Sequence, residues 1–236
     1  MATKTESLKE TLTSNYETQL RIYLTENQIN IPEEAFYQLL NYVDLLVAKN
    51  EEINLISRKD VENVIEKHIF HSLLLLKYMP PKVTTFLDFG SGGGLPGIPL
   101  AIARPDLKGV LVDSIQKKAK VLNEFVSKLM LNNVTVECSR CESEEFTSKY
   151  PNTFDLIVSR ATVKLPVFIR YSVPIMKNKA YVMALKGGDI EAEFQIANLK
   201  WKPYIKRSSI IELAYKPNNK KNENEKKLVL FELYRL

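Results

Sequence analysis

Glycine is scarce in this chain: it occurs eight times in 236 residues and not once before position 90. Cysteine occurs only at Cys138 and Cys141. One C-x-x-C pair without a second argues against a disulfide framework and against a structural zinc site. No apolar run approaches the ~20 residues that a membrane-crossing helix needs. The opening MATKTESLKE lacks the apolar stretch of a secretory signal. A soluble, cytoplasmic protein is therefore expected. Charge of one sign is in only mild excess, at net +5. That permits a polyanionic partner without requiring one. At 45% hydrophobic residues, the chain can bury one large domain, or one domain with a smaller appendage.

The remaining features fall into two regions. Residues 1–80 carry apolar side chains at helical spacing, first Leu8 and Leu12, then Phe36, Leu39, Leu40, Val43, Leu46 and Val47, then Val61 to Leu76. About three helices are expected there, one opening near Pro32 with Glu33 and Glu34 in its first turn. Pro80-Pro81 ends this helical extension, and residues 81–236 form the second region. Strands are expected at Val83–Phe89, Gly109–Val112, Val134–Glu137, Phe154–Val158 and Ala180–Leu185. Helices alternate with them over Ile98–Ala103, Ile115–Leu131 and Val163–Met176. Such alternation implies right-handed crossovers and a mostly parallel sheet. Two further strand-like runs, Tyr204–Leu213 and Leu228–Tyr234, flank the polar loop KPNNKKNENEKK and read as an antiparallel pair.

Five of the eight glycines lie in FLDFGSGGGLPG, residues 86–97, between the first strand and its helix. A strand, a glycine turn and a helix N-terminus form a nucleotide-type site at the carboxyl edge of a sheet. Gly90, Gly92 and Gly94 allow the backbone to bend and to approach a ligand closely. Asp113, ending the second strand, can accept the hydroxyls of a ribose. A literal G-x-G-x-x-G spans Gly92–Gly97, so a nicotinamide or flavin dinucleotide is one reading. The match starts late in the turn, however, and Leu95 sits where a dinucleotide fingerprint after the strand wants its third glycine. Asp88 suits S-adenosylmethionine better, because its carboxylate can face an ammonium and would repel a pyrophosphate. A purely structural turn is the third reading.

Missing motifs narrow the methyl acceptor. The position after the fourth strand reads Val158-Ser159-Arg160-Ala161, not the [DNS]-P-P-[YFW] of many exocyclic-amine methyltransferases. Neither cysteine sits in the Pro-Cys or Thr-Cys context of a pyrimidine-C5 nucleophile. An acceptor with its own in-plane lone pair, such as N7 of guanine, needs only alignment and tolerance of a cationic product.

The strings DFGSGGGLPGIPLAIARPD, LVDSIQKK, SRCESE, FDLIVSRA and ALKGG, in this order, resemble the bacterial 16S ribosomal RNA guanine-N7 methyltransferases, once called glucose-inhibited division protein B. NLISRKDVENVIEKHIFHSLLLL resembles the helical segment before the catalytic core of that family, and the likeness covers about residues 36–236. The resemblance implies a Rossmann-like class I S-adenosylmethionine-dependent methyltransferase. Its mostly parallel seven-stranded sheet would carry an antiparallel C-terminal strand, with an N-terminal helical extension over residues 1–80. It implies methyl transfer to N7 of a guanine, at position 527 in the 530 loop of 16S ribosomal RNA, met as RNA, as the 30S subunit or as an assembly intermediate, by a monomer. The alternative is methylation of another RNA or of a small molecule.

Carried over by position, Gly90 and Leu95 line the cofactor, Cys141 and Glu142 flank its adenine, and Arg160, closing the fourth strand, is a binding residue of the cofactor pocket that faces the entering guanine and a candidate for positioning and electrostatic catalysis. Two departures stand out: His71 occupies the place of the usual aspartate, and Lys117-Lys118 that of a usual Lys-Arg. Lys117 and Lys118 are candidate phosphate contacts. Lys186, in LKGG after the fifth strand, is a candidate catalytic residue reaching the RNA or base, the alternative being a solvated side chain. The loop around 217–227 is longer than the family's. His68, Phe168 and Trp201 read as packing residues. The expected outcome of Asp113→Ala is cofactor binding weakened by roughly 1–3 kcal/mol; an unchanged dissociation constant in titration calorimetry contradicts the assignment.

Overall fold

The computed structural model describes residues 4–160, 163–217 and 226–236, with side chains from residue 15 onward. Leu8 and Leu12 therefore lie outside the described side chains, and most of the 217–227 loop and Ala161 lie outside the described residues.

Strands β1 (Thr85–Phe89), β2 (Lys108–Val112), β3 (Val134–Glu137), β4 (Phe154–Arg160), β5 (Met176–Lys186), β6 (Ile205–Glu212) and β7 (Lys227–Tyr234) form one sheet. Their order is β3-β2-β1-β4-β5-β7-β6. Strands β1 to β5 pair in parallel, whereas β7 runs antiparallel to both β5 and β6. Only β7 is therefore reversed relative to the rest. The central strands are buried on both faces, which is why they read as continuous apolar runs. Alternate side chains enter opposite cores: Phe86, Leu111, Leu156 and Val158 enter one, and Leu87, Val110, Val112 and Ile157 the other.

The first core is covered by α1 (Lys4–Glu26), α2 (Glu33–Asn50), α5 (Gly97–Ala103) and α6 (Gln116–Lys128), together with an irregular helical run over 58–78. That run comprises a 3-10 turn (Arg58–Asn63), a π turn (Ile65–Phe70) and the short α3 (His71–Leu73) and α4 (Leu75–Tyr78). The third N-terminal helix expected from periodicity is thus broken into four pieces. Tyr16, Leu39, Leu46 and Ile69 share a single cluster with Phe86 and Leu122, so the N-terminal helices have no separate core.

The second core is covered by α7 (Glu144–Lys149), α8 (Leu165–Ser172) and α9 (Glu191–Lys200). Neither α7 nor α9 is evident from periodicity. Six residues make α7, and α9 fully buries only Ala197. A cap does mark α7, since the Ser143 hydroxyl accepts from the Phe146 amide at 3.2 Å. The expected 163–176 helix is shorter, because Met176 already belongs to β5.

Gly109 permits the β1–β2 approach: a Cβ there would stand 2.3 Å from the Phe86 ring and 2.9 Å from Val134 Cγ1. Gly109→Ala is expected to cost ~1–3 kcal/mol of stability. Thermal denaturation reads the effect, and a wild-type melting temperature contradicts the packing account.

Candidate functional site at the carboxyl edge of the sheet

The glycine turn is built by backbone conformations that side chains resist. Gly90, Gly92 and Gly94 have φ of 69°, 57° and 97°. A Cβ on Gly94 would also stand 2.4 Å from Ile98 Cδ1. The Ser91 amide donates to the Val112 carbonyl at 3.0 Å, joining the turn to β2. The Tyr42 hydroxyl donates to the Gly93 carbonyl at 2.8 Å, so α2 covers the turn from the other side.

Asp88 lies beneath the turn and is fully buried. Its Oδ2 accepts from the Gly97 amide at 2.9 Å. Its Oδ1 has no hydrogen-bond partner among the described residues. Burial pushes its pKa up to about 7, against the opposing pull of the Gly97 N–H. A Cβ at Gly97 would meet Asp88 Oδ2 at 2.6 Å, so this contact requires glycine. The first amides of α5 are not free donors, because Asp88 takes Gly97 and the Gly94 carbonyl takes Ile98 at 2.7 Å.

Asp113 is also buried, and both its oxygens hold backbone: Oδ2 accepts from Gly92 N at 2.9 Å and Oδ1 from Ile115 N at 2.9 Å. Each oxygen keeps a lone pair for a further donor. Leu95 is buried in the first core, so its side chain belongs to packing. Cys141 is buried, and burial pushes its thiol well above the usual range. Glu142 is exposed, 4.0 Å from Arg140 Nη1. Phe168 is core, and the half-buried Trp201 donates its indole N–H to the Pro166 carbonyl at 2.9 Å.

Arg160 ends β4 at the same edge. Its Nη1 donates to Nδ1 of His68, 92 residues earlier in the π turn. Burial pushes the guanidinium below its ordinary value, while Tyr42, Asp88 and Asp60 act the other way. Among the described residues no carboxylate forms an ion pair with it. The expectation that His68 merely packs is therefore incomplete, since spacing does not show a contact between residues this far apart. His71 is buried beside it and shares a 3.0 Å hydrogen bond with the Tyr215 hydroxyl, which donates to Glu66 at 2.8 Å.

Two lysine expectations separate. Lys117 is exposed and Lys118 half-buried on the first turn of α6. Lys186 is already engaged: its ammonium donates to the Val163 carbonyl at 2.6 Å and to Glu193 at 3.1 Å. Glu193 also accepts from the Leu165 amide, so Lys186 holds the start of α8 and is neither solvated nor free to reach a base.

A sheet with one reversed strand, a glycine turn after β1 and a carboxylate after β2 defines the class I methyltransferase fold. The solved structures agree. An S-adenosylmethionine-dependent O-methyltransferase from Thermotoga maritima superposes with a TM-score of 0.55 at 13% identity, covering 81% of this chain and 72% of that one. M. jannaschii TYW2 in complex with AdoMet superposes with a TM-score of 0.54 at 14% identity, over 77% and 78% of the two chains. Residues 36–223 match the family described as rRNA small subunit methyltransferase G, and the chain belongs to that family. Similar proteins named ribosomal RNA small subunit methyltransferase G include one from Bacteroides fragilis, 39% identical over 70% of this chain and 80% of that protein. Another, from Clostridium kluyveri, is 34% identical over 70% of each chain.

The raised Asp88 pKa has a stability consequence with a definite sign. An ordinary aspartate titrates near ~3.9. The folded protein holds this proton up to about 7, so the stabilisation is complete below ~3.9 and is lost as pH rises through about 7. Asp88→Asn, which keeps an oxygen for the Gly97 amide, is expected to melt above wild type at pH 8 by at least ~2–4 °C. At pH 5 the difference should shrink, and a pH-independent gap in thermal melts contradicts the assignment.

Proposed function

We propose that this protein transfers a methyl group from S-adenosylmethionine to N7 of a guanine in 16S ribosomal RNA, at position 527 in the 530 loop. It would act as a cytoplasmic monomer on the 30S subunit or an assembly intermediate. The supporting observation is the buried, unpartnered Oδ1 of Asp88 under the glycine turn, in a chain of the small-subunit methyltransferase G family. An orphaned carboxylate oxygen suits a cationic group, and S-adenosylmethionine carries an ammonium. When bound, the cofactor supplies an electrophilic methyl group on a sulfonium.

Asp88 would hold that ammonium, with its proton released as the pair forms. Asp113 would accept the ribose hydroxyls with the lone pairs left over from Gly92 and Ile115. Cys141 and Glu142, following β3, would border the adenine, with Gly90, Gly92, Gly94 and the backbone of Leu95 forming the floor. Guanine N7 attacks through a lone pair in the ring plane, so no residue must first remove a proton. The work of the site is alignment and electrostatics. From the end of β4, Arg160 would donate to an acceptor edge of the entering base, and Lys117 and Lys118, on the first turn of α6, would meet phosphates. Lys186, engaged with Glu193, is given no part in these contacts.

Tritiated S-adenosylmethionine, incubated with the protein and 30S subunits from cells lacking it, tests the reading. Mapping uses borohydride and aniline cleavage, which reports N7-methylguanine. Label at one guanine of the 530 loop is expected. Label elsewhere, or none despite cofactor binding, transfers the acceptor to another RNA or to a small molecule.

A further inference from the structure

Arg160 is held by an unusual partner. Arginine donates only, so the ring nitrogen that meets it must be an unprotonated acceptor. That places the single imidazole proton of His68 on Nε2. Burial first, and the Arg160 charge second, push the His68 pKa down to about 3, in keeping with a neutral ring. Nε2 is buried and has no hydrogen-bond partner among the described residues. The nearest carboxylate oxygen, Asp60 Oδ2, is 3.9 Å away, too long for a direct hydrogen bond. The other Asp60 oxygen is taken by the Lys67 ammonium at 2.6 Å.

The cluster therefore contains an acid, but that acid is bonded to a lysine and not to the arginine. Elsewhere in this protein structural cations meet carboxylates directly, as in Arg104–Asp106 at 2.6 Å and Lys177–Asp155 at 2.8 Å. A carboxylate in place of the imidazole would aim the guanidinium and also cancel its charge. A neutral imidazole aims it and leaves the charge in place. Two buried polar atoms without partners among the described residues, His68 Nε2 and Asp88 Oδ1, belong to residues that both act electrostatically on Arg160 or respond to it. An arrangement selected only for stability would satisfy them.

We propose that His68 is a positioning residue: through Nδ1 it directs the Arg160 guanidinium, with its charge uncancelled, at the electron-rich edge or phosphate of the RNA nucleotide to be methylated. This rests on the methyl-transfer reading given above. The π turn has a part in it, because the turn carries His68 to the end of β4.

Three full-length proteins test the proposal: wild type, His68→Leu and His68→Asn. Asn offers an amide oxygen near the place of Nδ1, whereas Leu fills the space without an acceptor. Single-turnover methyl transfer to 30S subunits is measured beside cofactor affinity and thermal melting. His68→Leu is expected to slow transfer ~10–100-fold, as misplacement of a positioned group does. Cofactor affinity should stay close to wild type, and His68→Asn should recover most of the rate even if it melts lower. In a double-mutant cycle, adding Arg160→Ala to His68→Leu should cost little more than Arg160→Ala alone. An unimpaired His68→Leu enzyme, equal losses in Leu and Asn, or additive losses in the cycle overturn the proposal. Nitrogen-15 NMR of the His68 ring supplies a readout independent of turnover. The Nε2–H tautomer at pH 7 is expected, and an Nδ1–H tautomer or a cation overturns the pairing. If wild type binds cofactor and transfers no methyl to 30S subunits while the tautomer is as expected, the fault lies with the RNA reading, and the claim that His68 aims Arg160 at RNA is overturned with it.

Discussion

The hydrogen bond from the Gly97 amide to Asp88 Oδ2 is the contact on which the carboxyl edge of this sheet depends. It joins the fourth residue of β1 to the first residue of α5, so both ends of the glycine turn are fixed by one carboxylate. Using one oxygen in this way leaves the other buried and without a partner among the described residues. The same residue thus organises the turn and retains capacity for a cation. Asp113 repeats the device from β2, tying Gly92 with one oxygen and Ile115 with the other. Two carboxylates, each already committed to backbone, hold the loop open from below while Tyr42 holds it from above.

Much of this was legible in the residues themselves. The parallel strands announce themselves because both faces are buried, which leaves short β-branched and apolar runs. The glycine turn is conspicuous because three left-handed residues in succession of five positions leave little but glycine. The place of Asp88, two residues before Gly90, marks it as the distinctive acid of the turn, although its bond to Gly97 could not be read from spacing. Less legible were elements whose stability lies in tertiary contacts. Helix α9 rests on few buried side chains and leaves Ile196 and Leu199 exposed, so it shows no clear stripe. The run over 58–78 follows a helical pattern in sequence, yet is broken into four pieces of three different windings.

Side-chain partnerships between distant segments were the least legible. Lys186 looked like a free cation at a strand end because Glu193 stands on a helix that periodicity does not reveal. His68 looked like an ordinary core histidine because its partner is 92 residues away. His71, a departure from the family pattern, is accommodated by Tyr215, which reaches it and the nearby Glu66 only when the segment after β6 folds back on the N-terminal helices. That return is fastened by Asn27, whose side chain bonds both the amide and the carbonyl of Lys216, at 3.1 and 2.9 Å.

Strand β7 follows β6 in the chain but lies between β5 and β6 in space. The sheet can therefore not be assembled in the order of its synthesis. While the ribosome is still making the loop after β6, that strand has no sheet neighbour, since it pairs with β7 alone. β7 must then be threaded into register with two strands at once, eight residue pairs on the β5 side. Sequence-distant pairings of this kind are slow to form. A nascent chain of this protein thus carries an open edge on β5 until β7 closes it, and the sheet is completed only by the last strand made.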